Sequence, residues 1–452
     1  MSPTKERGIA RRLWDLSLPV IGLNVLNVLA LAVDTAMCGR LPNDEAVLTG
    51  LGFATQIVFL LMVAMLGLVV GATALVARAH GAGDHERVDH ILLQSTQLTV
   101  MLGIGIGASG SLLAEPMLRL LGAEGAAVDQ GVSYLQPLLA GTVFYYLSLF
   151  YAAILRGVGN TRLPFFVALI ANVVNVAINY CLILGNLGFP SLGVLGAAIG
   201  TLSSQALSVV FIVVLLRRGW VDGLRLRMRP RPIDRALAAE LARVGAPAAI
   251  DLVVLNGAFL AIIGMIGRID QVAVAAHGIG LRIQSLAFVP GLSIAQATGA
   301  MVGQALGAND TERARAVTRS SILLCVIVMT VFAVPIVLGV EPIVEIFDVT
   351  LGTPLADLSI QWIQLLGYGM PLVGIHIAFV GLFRGSGATH TSLRINIVTT
   401  AIQIPLSYVL GFTFGLEAWG VWAAFPLSYI LKSGLAFAAY KRGDWARTGM
   451  RL

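Results

Sequence analysis

The sequence predicts an all-α membrane protein: twelve transmembrane helices in two six-helix bundles, arranged as parallel repeats around a central cavity. Three observations lead there. The 452 residues are 57% hydrophobic and only 12% charged, too apolar for an ordinary soluble chain. Apolar runs of about 20 residues recur along nearly the whole length, each long enough to cross a hydrocarbon core roughly 30 Å thick as a helix. Finally, the second half repeats signature stretches of the first at an offset of half the chain.

The runs of the first half lie at 14–38, 52–77, 90–113, 133–155, 163–185 and 193–216. The first is too long for a secretory h-region, so Ala30-Leu31-Ala32 is read inside a retained helix and not as a cleavage site. After the sixth run comes a basic stretch holding Arg217, Arg218, Arg225, Arg227, Arg229, Arg231 and Arg235. The runs of the second half lie at 243–266, 272–303, 317–339, 359–383, 393–415 and 418–440. The chain therefore divides into an N-lobe (1–216), a cytoplasmic linker (217–242) and a C-lobe (243–452).

Charge fixes the expected orientation. Of 30 Lys and Arg, only Arg40, Arg119 and Arg268 fall on the outer side, and Arg282 and Lys432 lie within spans. The remainder, Lys5, Arg7, Arg11 and Arg12 among them, flank spans on the inner side, which places both termini in the cytoplasm of a cell inner membrane. This distribution explains the net charge of +6 without a nucleic-acid partner. Cys38, Cys181 and Cys325 stand alone in apolar sequence and read as small apolar residues.

The internal repeat is specific. GAGDHER at 81–87 matches GANDTER at 307–313, RGVGNT at 156–161 matches RGSGAT at 384–389, and Pro19 with Gly39-Arg40 matches Pro247 with Gly267-Arg268. Six spans return the chain to its starting side, so the halves are parallel repeats about an axis along the membrane normal. Two bundles joined by a linker favour a transporter whose lobes rock around a cavity.

Ionisable groups within the spans nominate the site, because polar groups in lipid are costly and face the protein interior or water. Asp34 lies in the apolar run NVLNVLALAVDTAMC, with Asn27 on nearly the same helix face seven residues earlier. The fifth run carries a second polar stripe, Asn172, Asn175 and Asn179, and helix rise puts Asp34, Asn179 and Thr201 at similar depth. A carboxyl group surrounded by amides and a hydroxyl can exchange a proton near physiological pH. The same asparagines would also serve as plain interhelical hydrogen bonds. Pro19, lacking an amide hydrogen, offers a hinge in the first span. In the second half, Asp251 and Arg282 lie at comparable depth and are expected to pair, and His376 is a further titratable candidate.

Other signals fall away. GIGIGASG at 103–110 contains a dinucleotide-type glycine pattern but lies inside an apolar helix, where small residues serve close packing. His80, His85 and His90 are five apart and turn to different helix faces, against one metal site. No Walker loop or nucleophile elbow supports an enzyme.

With these residues in place, the chain resembles the multidrug and toxic compound extrusion (MATE) transporters, within them the DinF-type branch. The resemblance covers all twelve runs and is densest over AAHGIGLRIQSLAFVPGLSIAQATGAMVGQALGAND at 275–310. It implies export of amphipathic, often cationic compounds in exchange for protons or sodium ions, by a monomer in the bilayer that needs no cofactor. By position it makes Asp34 the N-lobe acid, Asn175 its polar partner and Thr201 the sixth-span threonine. Asn179 stands where many relatives have aspartate, which leaves Asp34 the sole acid there and favours protons over sodium. The alternatives are a sodium-coupled antiporter or a lipid-linked oligosaccharide flippase of the wider superfamily.

Overall fold

The computed structural model describes residues 3–41, 44–221, 223–226 and 231–447. Arg227 and Arg229 of the basic stretch lie outside the described residues, as do the side chains of Lys5 and Arg7. Among the described residues all regular structure is helical: α1 (Pro3–Cys38), α2 (Asp44–Gly81), α3 (His85–Leu120), α4 (Ala126–Ala140), α5 (Thr142–Gly157), α6 (Arg162–Leu182), α7 (Val194–Arg218), α8 (Arg235–Ile269), α9 (Gln271–Gly307), α10 (Thr311–Leu338), α11 (Val340–Glu345), α12 (Pro354–Ser386), α13 (Thr389–Tyr408, continued by a π-turn over Val409–Thr413), α14 (Glu417–Arg442) and α15 (Asp444–Arg447).

Eleven of these helices are long and apolar enough to cross a membrane alone, and α4 with α5 makes a twelfth span bent by 60°. The sequence predicts one unbroken helix over 133–155, whereas the chain breaks at Gly141. Pro137, inside α4 one turn before the break, supplies no amide hydrogen to the helical ladder. Gly141 itself has no side chain where Leu202 of α7 presses against the backbone. The glycines of α3 seat this bend: a Cβ at Gly103 would meet the Val143 backbone at 2.9 Å, and one at Gly107 the Leu139 carbonyl at 2.5 Å. The 103–110 motif is thus a helix-packing face.

The repeated motifs are helix punctuation. Asp84 and Asp310 cap α3 and α10, accepting hydrogen bonds from Arg87 N at 3.0 Å and Arg313 N at 2.8 Å. Their neighbours Gly83 and Asn309 adopt φ of 75° and 57°, the left-handed turn that glycine and asparagine tolerate best. In the RGxGxT copies, Gly159 and Gly387 have φ of 88° and 78°, ending α5 and α12 and turning the chain into α6 and α13.

The chain forms two compact units: residues 22–245, and residues 1–21 with 246–452. The core of the first includes Cys38, Val47, Leu118, Leu135 and Ala197. At its linker end, Asp234 accepts from Ala236 N and Leu237 N and pairs with His90 at 3.1 Å, while Gln94 and Asp89 hold the backbone of Pro232, Asp234 and Arg225. The opening residues of α8 belong to this unit, where a Cβ at Gly245 would overlap the backbone of Gly67 on α2. In the second unit, Leu13 of α1 is buried with Ile294, Phe379 and Trp445. His277 is stacked on Trp422 and tilted against Trp362, with ring centroids 6.4 and 5.1 Å away.

Candidate functional site

Helix α6 builds the site through its periodicity. Pro164, Val167, Ala171, Asn175 and Asn179 form one buried stripe, so an apolar seam ends in two amides. These amides meet Asp34, which lies one turn before the end of α1 and is only 8% exposed. Asn179 Nδ2 donates to Asp34 Oδ1 at 2.6 Å. With its amide nitrogen turned to the carboxylate, Asn175 donates to the same oxygen at 3.1 Å and accepts the Thr201 backbone N–H at 3.2 Å. The Thr201 hydroxyl is within electrostatic reach of Asp34 but has no hydrogen bond of its own, and Asn179 Oδ1 is likewise buried without a partner. Gly200 makes room: a methyl group there would overlap Asn179 Oδ1.

Asp34, Asn175, Asn179 and Thr201 are therefore brought together. Asn27 and Asn172 are not. Asn27 is exposed, and Asn172, one position off the buried stripe, donates to the Ala168 carbonyl of its own helix at 2.8 Å. The sequence reading did not include Tyr134 of α4, which is buried within electrostatic reach of Asp34 together with Cys38. Its only sequence signal is a lone aromatic hydroxyl in an apolar run. Pro19 lies inside a helix that is continuous from Pro3 to Cys38, two residues before the unit boundary.

In the second unit the expected Asp251–Arg282 pair is absent: among the described residues no ion pair joins them, and Arg282 is exposed. Asp251, 1% exposed, instead accepts from Asn396 Nδ2 at 2.6 Å and Ser392 Oγ at 3.2 Å, both on α13. Depth estimated from residue counts matched the two charges but could not say which helix α8 faces. His376 of α12 is buried, its Nδ1 without a hydrogen-bond partner.

Among the described residues no group of three or more His, Cys, Asp or Glu could hold a metal ion. Among the described residues the site is one carboxylate ringed by amide donors, with orphaned oxygens beside it and no cation in an ion pair with it. Such a group can gain and lose a proton while its hydrogen bonds rearrange.

Comparison with known proteins follows the same outline. A relative named "Probable multidrug resistance protein NorM" from Thermotoga maritima is 27% identical over 442 residues, 97% of this chain and 94% of its own. The "FAD transporter" of Shewanella oneidensis is 26% identical over 434 residues, 94% of this chain and 92% of its own. Among solved structures, an outward-facing multidrug resistance MATE transporter aligns with a TM-score of 0.89 at 23% identity, over 97% of this chain and 96% of that one. A MATE structure in the bent conformation aligns with a TM-score of 0.88 over 99% and 98%. The MatE family model matches twice, over residues 19–181 and 247–409, so that the two matches begin at Pro19 and Pro247 and share the spacing of the internal repeat. By this double match, this helical architecture and this full-length likeness, the chain belongs to the MATE family of multi-pass membrane transporters.

Proposed function

We propose that the chain is a proton-coupled antiporter that exports amphipathic, often cationic compounds by alternating access. It acts as a monomer in the cell inner membrane, with both termini cytoplasmic, and Asp34 carries the coupling proton. One observation carries this reading: a buried carboxylate held by Asn179 and Asn175, with no salt-bridge partner among the described residues. When Asp34 takes a proton, its O–H needs an acceptor, and Asn179 Oδ1, now unpartnered, provides one once the amide reorients. This rearrangement between α1 and α6 is the local event that α1 transmits by bending at Pro19. Coupling then requires proton and cargo to bias one conformational equilibrium in opposite senses.

The test is drug efflux from vesicles under an imposed proton gradient. Asp34→Asn should bind drug yet lose gradient-driven efflux; undiminished efflux would rule the mechanism out. A sodium-coupled reading has its own observation, the orphaned Thr201 Oγ1 and Asn179 Oδ1, since sodium prefers oxygen ligands. Separate proton and sodium gradients distinguish the two. A relative named FAD transporter supports a cargo class wider than cations.

A further inference from the structure

Shifted by the repeat spacing of 228 residues, Asp34 and Asn179 fall on Ile262 and Ser407, neither of which is acidic or an amide. The second unit nevertheless has a carboxylate–amide pair, placed eleven residues earlier on both helices: Asp251 on α8 and Asn396 on α13. The two pairs share a hydrogen-bond distance of 2.6 Å and a chain separation of 145 residues. Eleven residues are about three turns, roughly 16 Å of helix, so the pairing is kept while its depth changes.

The surroundings differ in charge. Asp34 is met by amides, a hydroxyl, a phenol and a thiol. Asp251 is faced electrostatically by two cations, Arg384 of α12 and Lys432 of α14, and both of these also act on His376. Lys432 is 6% exposed and His376 9%. Among the described residues neither cation has a hydrogen bond or an ion pair within 4 Å; the ammonium of Lys432 lies over the Tyr429 ring at 5.3 Å. Arg384 Nε, His376 Nδ1 and Thr400 Oγ1 are buried with no hydrogen-bond partner. Two cations thus oppose one carboxylate, whose oxygens are already engaged by Asn396 and Ser392. Buried charge of one sign calls for a counter-ion, and unfilled donors beside it define where one would bind.

We propose that this cluster is a cargo subsite that takes the carboxylate of an amphipathic acid or zwitterion on Lys432 and Arg384. The subsite extends the antiporter reading above and rests on it: the N-lobe carboxylate moves the proton, and the C-lobe cations select cargo bearing an acid group.

Two dyes with one fused-ring core separate the subsite from the transporter. Rhodamine 110 has a free carboxylate, and rhodamine 123 is its methyl ester. In proteoliposomes of the full chain under a proton gradient, wild type should carry both. Lys432→Gln should raise the ratio of KM for acid over ester about tenfold or more, the size expected from one charge-assisted hydrogen bond. Lys432→Arg should restore the ratio. Asp251→Asn should move it the opposite way, because the carboxylate that competes with the cargo's acid group is gone; this sign carries the test even if Lys432→Gln fails to fold, since misfolding affects both dyes alike. An unchanged ratio in these variants, or wild type that carries only the ester, would overturn the subsite and leave the antiporter standing. Gradient-driven flux of neither dye would overturn the antiporter reading and the subsite with it.

Discussion

Replacing Gly200 with alanine adds one methyl group and tests the site through its neighbour. In the interior of a helix such as α7 this change ordinarily stabilises by about 0.5–1 kcal/mol. Here the new Cβ would overlap Asn179 Oδ1, come within 2.9 Å of Asn179 Cγ and touch Ile178 Cγ2 at 3.5 Å. The amide must move, and it cannot do so while keeping its 2.6 Å hydrogen bond to Asp34. A hydrogen bond to a charged group contributes about 1.5–3 kcal/mol, which corresponds to about one to two pH units in a proton equilibrium. Losing a donor disfavours the carboxylate form, so the pH profile of drug efflux in proteoliposomes should move to more alkaline pH by that amount. Asn179→Ala should do the same, and the double variant should add little, because both changes remove one interaction. A Gly200→Ala profile that overlays wild type would refute the reasoning, as would fully additive effects in the double variant.

Three further outcomes are expected. Gly385→Ala places a Cβ into the backbone of Gly299 on α9, and overpacking of about 1–3 kcal/mol should lower the melting midpoint in detergent. Pro19→Ala should leave dye binding intact and slow turnover severalfold, measured as efflux rate at saturating dye, because the missing amide hydrogen bond is restored and α1 stiffens. At the linker, the amide of Leu237, then His90 and the amide of Ala236, hold the Asp234 carboxyl below its ordinary range. A depressed carboxyl stabilises the docked linker above its unfolded pKa and loses that effect as pH falls through the folded value. Asp234→Asn at neutral pH should therefore speed tryptic cleavage at Arg225 and Arg235 severalfold, read on gels against wild type.

The spans were legible because membrane helices announce themselves by length and apolarity. The internal repeat was legible because Gly83, Asn309, Gly159 and Gly387 are turn positions that few residues can fill. What placed Asn175 and Asn179 against Asp34 was the stripe that begins at Pro164, and their spacing of four already showed it. The bend at Gly141 was hidden because hydropathy averages over it. Asn172 looked equivalent to its neighbours, although one step of 100° around the helix is enough to turn it away. The partners of Asp251 were missed because the repeat was compared at one fixed offset, and the second pair keeps its chain separation while sliding three turns.

The opening turns of α1 and of α8 each fold into the unit that the rest of their helix does not build: Leu13 is seated among residues of the second half, and Gly245 against Gly67 of the first. A gene cut in the basic stretch would thus yield two polypeptides, each with a peg whose socket is on the other. Either fragment alone would leave a raw apolar notch, whereas the pair made together has a built-in means of mutual recognition, and reassembly from separate fragments becomes a property written into the helix starts.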